Sequence, residues 1–350
     1  MKQARIDMKI AIAGLPQTGK KTLFSLLSGR EIINRKPGEI INGRALIRDV
    51  RVDKISALMS PDKTTYAENQ FVLCPDIELG TKEYGWLQEA RISDLLCVVL
   101  REFSSESVFH ADGSIDAERD KENIKLELLF ADLDLIDKRL HKMAQERKVK
   151  KPTALQALEE QTLHKCKTTL EANQLLNSIG LTEEEIASVR SLNFVTLKKI
   201  LWCYNVDEDK INLAHDPNCI RISSLIEKDI MAMSDLKERN EYLQTIGVTD
   251  SGIDRLNAMV YDLLGLMSFY TMGKDEVRAW TISKNTPAPI AAGKIHSDLE
   301  RGFIRVEIVK YNDLMELKTE QAVKTAGRTL LKGRDYIIAD GDICHFLFNV

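Results

Sequence analysis

Apolar positions in this chain gather into short runs, and the runs group into three regions. The first region opens with "KIAIA" at 9–13, which leads into Gly14. Leu23, Leu26 and Leu27 of the next segment then recur at helical spacing as far as Gly29. That order, strand then glycine-rich turn then helix, is the setting in which backbone N–H groups can converge on a phosphate. The runs "FVLC" (71–74), "DLLCVVL" (94–100), "ILWCYNV" (200–206) and "CIRIS" (219–223) predict buried strands of a mainly parallel sheet. Together they predict an α/β nucleotide-binding core that is split in sequence.

Residues 116–194 make the split. Leu126, Leu129, Leu133, Ile136, Leu140 and Met143 form one apolar seam, predicting a long helix from about Asp120 to Arg147. A second helix is expected after Pro152, with Leu155 and Leu158, continuing through Ala172, Leu176 and Ile179. The pair predicts an antiparallel hairpin whose tip, "QERKVKKP", carries Arg147, Lys148, Lys150 and Lys151. Such a tip is either a contact surface or only a solvated helix end. In the third region "EVRAWTI", "GFIRVEIV" and "DICHFLFNV" predict strands, with a helix over "MELKTEQAVKTAG" ending at Gly327. The expected division is therefore 1–115 with 195–265, then 116–194, then 266–350.

Composition narrows the class without choosing the function. The 350 residues are 44% hydrophobic and 29% charged, with no apolar run near 18 positions, which predicts a soluble globular chain and no membrane partner. The start offers no signal-peptide pattern, Met8 is an alternative to Met1 as the first residue, and a cytoplasmic location is expected. A net charge of −4 argues against DNA as a partner and confines any RNA contact to local patches. Six Cys without C-x-x-C pairing, most of them inside apolar runs, read as core residues rather than metal ligands or disulfides.

The chemistry lies in "GLPQTGKK". Gly14, Gly19 and Lys20 match Gly-x-x-x-x-Gly-Lys, but Lys21 stands where a hydroxyl should follow, and Thr22 comes one position late, about 100° round the helix. An ammonium has no lone pair for a cation. A tight turn with no ligand is the alternative reading of the same glycines. Farther along, the stretch from "GKDEVRAWTISKN" to "GDICHFLFNV" closely resembles the last domain of the YchF family, the Obg-like ATPases. The likeness extends back through "SGIDRLNAMVYDLLGLMSFYTMG" and "NIKLELLFADLDLIDKRL" to "AIAGLPQTGKKTLF", and only residues 30–92 match poorly.

The resemblance implies an α/β P-loop domain of the Obg-like GTPase class, an inserted helical coiled-coil hairpin and a C-terminal β-grasp domain of the TGS type. It also implies binding and hydrolysis of ATP in preference to GTP, and association with the ribosome through RNA or protein. Carried over by position, Gly14, Gly19, Lys20, Lys21 and Thr22 would face the phosphates, and Asn205, Glu208 and Ser223 the base. Leu225 replaces the Lys that would cover the base. The Mg²⁺ side departs from the family at Lys21, and at "QFVLCPDIELG", where one register puts Leu73 at the Asp and Asp76 at the Gly, and the other puts Asp76 at the Asp but Leu79 where Gly is needed, with Gly80 one residue late. It departs again in "NRKPGEIINGR" and "TKEYGWLQEA", which stand for the switch segments. The expectation is a nucleotide-binding regulator with weak or absent hydrolysis and without the usual Mg²⁺ ligands. An active Mg²⁺-dependent ATPase or GTPase and a nucleotide-free scaffold remain as alternatives. His296 is expected to have a structural or interaction role rather than a catalytic one.

Overall fold

The computed structural model describes residues 8–32, 35–36, 38–81, 85–105, 108, 110, 113–213, 216–233 and 235–349. Met1 and parts of both switch-like segments lie outside them. Two compact units are formed, one from 9–43 and 70–253, the other from 44–69 and 254–349 with Met8. This division differs from the expected one, because residues 44–69 group with the C-terminal segment and 116–194 is not set apart.

In chain order, β1 (Lys9–Ala13) leads into α1 (Lys20–Ser28), followed by β2 (Ile41–Ile47), α2 (Val50–Met59), β3 (Lys63–Thr65) and β4 (Ala67–Leu73). Next come α3 (Gly85–Ile92), β5 (Leu95–Glu102), α4 (Ala117–Arg147), α5 (Ala154–Glu171), α6 (Glu183–Val189), β6 (Lys199–Val206), β7 (Cys219–Ile222) and α7 (Ser224–Ala232). Strands β8 (Leu266–Met272), β9 (Glu276–Ser283), β10 (Phe303–Lys310), β11 (Leu330–Lys332) and β12 (Asp342–Phe348) complete the chain.

The first sheet has the order β2-β4-β1-β5-β6-β7. The pairings of β1 with β4 and β5, of β5 with β6 and of β6 with β7 are parallel. Residues Leu95 to Leu100 of β5 are wholly buried, as a central parallel strand covered on both faces must be, which is why its sequence is a continuous apolar run. Parallel pairing places the loops after β1, β4, β6 and β7 at one edge of the sheet, where α/β folds build ligand sites.

Helix α4 starts where Asp116 accepts the Arg119 N–H, and α5 starts with a reciprocal capping box between Thr153 and Gln156. Its outer half packs Leu129, Ile136 and Met143 against Leu163, Cys166 and Leu170, the predicted seam. Truncating fully buried Ile136 to Ala would cost about 2–5 kcal/mol, readable as a lower denaturation midpoint. The second helix is shorter than expected. It ends at Glu171, Asn173 takes φ 58°, and Leu176 falls in a 3-10 turn that still buries its side chain in the hairpin core. The left-handed Asn turns the chain back over the seam.

The other unit carries a mixed sheet, β11-β10-β12-β8-β9-β3, with β12 parallel to β8 between antiparallel pairs. That is β-grasp topology with one added edge strand. On one face Phe269, Ile282 and Phe346 pack on Ala288, Ala291 and Ala292 of the helix Ala288–Ile295. On the other, Tyr270, Val277, Ala279 and Ile343 pack on Val52 and Ile55 of α2 and on Leu314 and Val323. The helix expected over "MELKTEQAVKTAG" is two, Tyr311–Leu317 and Glu320–Thr325, broken at Lys318 with φ 68° and recapped by Thr319. His296 caps Ser297–Arg301, its Nδ1 accepting the Asp298 N–H at 3.2 Å.

Asp49 caps α2 and also accepts the Tyr270 hydroxyl, while Arg51 reaches Asp340 at 2.6 Å. Burial alone would raise the Asp49 pKa, but the hydrogen bonds from Arg51 and Tyr270 outweigh it and hold the carboxyl below its ordinary range. All six cysteines are buried thiols, as the apolar runs around them predict. Among the described residues no helix is long and apolar enough to cross a membrane.

Candidate functional site

The turn between β1 and α1 is built as a phosphate loop. Gln17 and Gly19 take φ 60° and 88°, and α1 begins directly after Gly19, so the loop's N–H groups and the helix N-terminus face one space. A Cβ on Gly14 would lie 2.5 Å from the Val99 carbonyl oxygen, and one on Gly19 would lie 2.1 Å from Asn205 Nδ2. Both glycines are therefore fixed by close approach.

Asn205, at the end of β6, joins the loop to the turn before α7. Its Nδ2 donates to the Thr18 carbonyl at 3.1 Å, and its Oδ1 accepts the Ser224 N–H at 3.0 Å. One buried amide thus fixes the spacing between the turn after β1 and the turn before α7. Ser223 is buried, but its side chain makes no cap hydrogen bond; the contact with Asn205 falls to Ser224. Glu208 lies exposed in a short 3-10 turn, held in place by Asp207, whose Oδ2 accepts the Ser104 N–H at 3.0 Å. Leu225 is 72% exposed beside them.

The opposite side of the loop is different. Lys20 is buried, its Nζ 2.7 Å from the Leu15 carbonyl oxygen and 2.8 Å from Asp76 Oδ1. Burial lowers its pKa, against the pull of Asp76. Leu73, in the position of the family's Asp, is wholly buried and paired with Ile12. The chain after it is pinned by Cys74 N to the Ile12 carbonyl at 2.9 Å and by Ile77 N to the Gly14 carbonyl at 3.0 Å. That register brings the side chain of Asp76 onto Lys20, so the residue in the family's Gly position carries the carboxylate.

Lys21, Arg35, Lys36, Asp76, Glu78 and Trp86 help to line a cavity of about 490 Å³ on this side. The Arg35 side chain donates to the carbonyls of Glu39, with Nε at 2.9 Å, and Leu73, at 3.3 Å. Lys21 and Thr22 are exposed on the first turn of α1. These residues do not fit Mg²⁺. Three cations share the lining with two carboxylates, Asp76 and Glu78, of which Asp76 is already paired to Lys20, and the position after the phosphate-loop lysine offers no oxygen.

Sequence reasoning missed Arg35, Lys36 and Ser224, and left Asp76 between two registers. At the hairpin tip Lys148, Lys150 and Lys151 are exposed as expected, but Arg147 pairs with Glu160. The tip also encloses an apolar-lined cavity of about 360 Å³ that includes Met143, Val149 and Pro152. It lies on the hairpin, not among the nucleotide-site residues.

Comparison with known proteins agrees with this architecture. The YchF-GTPase_C family model, described as a protein of unknown function, matches residues 266–349. The "Ribosome-binding ATPase YchF" of Bacillus subtilis (strain 168) is 35% identical over 97% of this chain and 98% of its own. The protein of the same name from Escherichia coli O157:H7 is 34% identical over 99% and 100%. The solved structure of the Schizosaccharomyces pombe YchF GTPase superposes with a TM-score of 0.82 at 25% identity, covering 97% of this chain and 98% of that one. With likeness of this degree running through nearly the whole of each chain, the protein belongs to the YchF family.

Proposed function

We propose that the protein binds a purine nucleotide at the β1–α1 loop, taking adenine at least as well as guanine. We further propose that it turns the nucleotide over slowly or not at all and acts as a ribosome-associated regulator in the cytoplasm. The observation that carries this reading is the Asn205 clamp, which holds a glycine-shaped phosphate loop at a fixed distance from a base-facing turn. Glu208 supports adenine, because the shorter Asp of guanine-selective sites is what accepts two guanine N–H groups at once. Slow turnover follows from the cationic metal side, where Lys21 can hold a phosphate but cannot template an in-line attack. Ribosome association is supported by the names of the relatives and by the exposed lysines of the hairpin tip.

Titration with labelled ATP, GTP and ADP, in Mg²⁺ and in EDTA, tests the nucleotide part. Binding that persists in EDTA with very slow hydrolysis is expected. GTP displacing ATP tenfold better, about 1.4 kcal/mol, would overturn the base assignment. The Lys20–Asp76 pair also favours a second reading, a scaffold whose lysine is satisfied internally, and no binding of any nucleotide would select it. Ribosome co-sedimentation at low and high salt tests the partner, comparing the native chain with one carrying Ala at Arg147, Lys148, Lys150 and Lys151. Loss of salt-sensitive pelleting in the variant is expected; equal, salt-insensitive pelleting of both removes the tip.

A further inference from the structure

We infer that the site selects nucleoside diphosphates over triphosphates, and that Asp76 is the residue that does so; this rests on the nucleotide-binding reading above. A phosphate-loop lysine ordinarily meets the oxygens of the second and third phosphates. Here the buried Lys20 ammonium has three protons to give, and Leu15 and Asp76 already accept two of them, at 2.7 and 2.8 Å. A second phosphate can use the remaining donor together with the loop's N–H groups. A third phosphate brings further negative charge to the place where a carboxylate already stands.

Asp76 cannot withdraw by a shift of its backbone. Cys74 and Ile77 on either side are tied to β1 and to the loop, at 2.9 and 3.0 Å, and Leu73 is locked in the sheet. Only rotation of the side chain would free Lys20, and that would leave a buried ammonium without its carboxylate until the phosphate arrives. The neighbouring cations do not cancel this. Lys21 and Lys36 are exposed, where solvent screens them, and Arg35, whose charge is attracted to Asp76 and offsets part of it, gives its hydrogen bonds to two backbone carbonyls. The carboxylate, by contrast, touches the one buried cation that a triphosphate must reach. Asp76 thus occupies in the free protein the electrostatic role of a terminal phosphoryl group.

The test is competition of ADP, ATP and a non-hydrolysable ATP analogue, with the guanine set alongside, against a fluorescent ADP in EDTA. The full chain is compared with Asp76→Asn and Asp76→Gly. The native protein is expected to bind ADP at least roughly tenfold more tightly than either triphosphate, a difference of about 1.4 kcal/mol. In both variants that ratio should fall to within about threefold through a gain in triphosphate affinity, and a cooperative urea transition in each variant reports an intact fold. Equal native affinities for di- and triphosphate would overturn the selection alone. A native preference that survives in both variants would overturn the role of Asp76. No binding of any nucleotide by the native chain or the variants would overturn the nucleotide reading itself, and the selection with it.

Discussion

On the Asn205 side of the β1–α1 loop the contacts are made by backbone groups and one short amide; on the opposite side they are made by long charged side chains. Gly14, Gly19 and Asn205 leave no room for variation, since a single added methyl group on either glycine meets an atom within 2.5 Å. The Lys21, Arg35, Lys36 and Asp76 side has instead been rebuilt around an internal ion pair. The difference suggests that holding a nucleotide and breaking it down are separable demands on one loop. On the reading proposed above, recognition would rest on close backbone approach, whereas turnover would need a metal-binding oxygen set that these residues do not offer.

The largest effect on nucleotide affinity is expected at Gly19→Ala. The φ of 88° and the 2.1 Å approach to Asn205 Nδ2 both forbid a Cβ, so nucleotide affinity should fall by about 100-fold, near 2.7 kcal/mol, in a labelled-nucleotide titration. Affinity within about threefold of native would mean that this side is as adaptable as the other. Next is Asn205→Ala, which leaves the Thr18 carbonyl and the Ser224 N–H without their partner. A cost of about 1–3 kcal/mol for each group left buried and unpaired is expected in urea denaturation. An unchanged midpoint would show that the clamp does not hold the two turns together.

Lys21→Ser should have a smaller effect, confined to the rebuilt side. Mg²⁺ should strengthen ATP binding by roughly three- to tenfold in the variant, less than about 1.4 kcal/mol, and should have little influence on the native chain. Robust Mg²⁺-dependent hydrolysis by the native protein would defeat this account of Lys21. The smallest effect concerns Lys20, whose pKa burial lowers from 10.5. Phosphate binding needs the ammonium, and a lowered pKa means that it loses its proton at lower pH than an ordinary lysine. Affinity should therefore decline with rising pH before 10.5; a profile flat through that value would mean that Lys20 does not hold the phosphate.

Much of the sheet that carries the site could be read from the sequence. The runs at β1, β5, β6 and β7 are apolar because both faces of those strands are covered, and the α4 seam is regular because one helix packs along another. Other parts carry no such pattern. β3 is the three residues Lys63 to Thr65, largely outside the core, and it exists through backbone pairing with β9 rather than through any hydrophobic signal. Asp76 was ambiguous because its register is set by two backbone hydrogen bonds, from Cys74 and Ile77, that no side-chain pattern reports. Ser223 and Ser224 differ only in which backbone N–H faces Asn205.

The grouping of residues 44–69 with 254–350 bears on how the protein is made. At about 5–20 residues per second, a ribosome needs roughly 10–40 s to synthesise the stretch between Asn69 and Asp254. For that time Val52 and Ile55 lack Tyr270 and Val277, beside which they end in the core, and β3 lacks its partner β9. The C-terminal unit thus closes only after translation is nearly finished, on a segment that emerged early and has waited exposed. Premature termination after residue 253 would leave the first unit with its own sequence complete and, in its middle, an amphipathic helix whose Val52 and Ile55 lack their final core, a target for chaperone or protease.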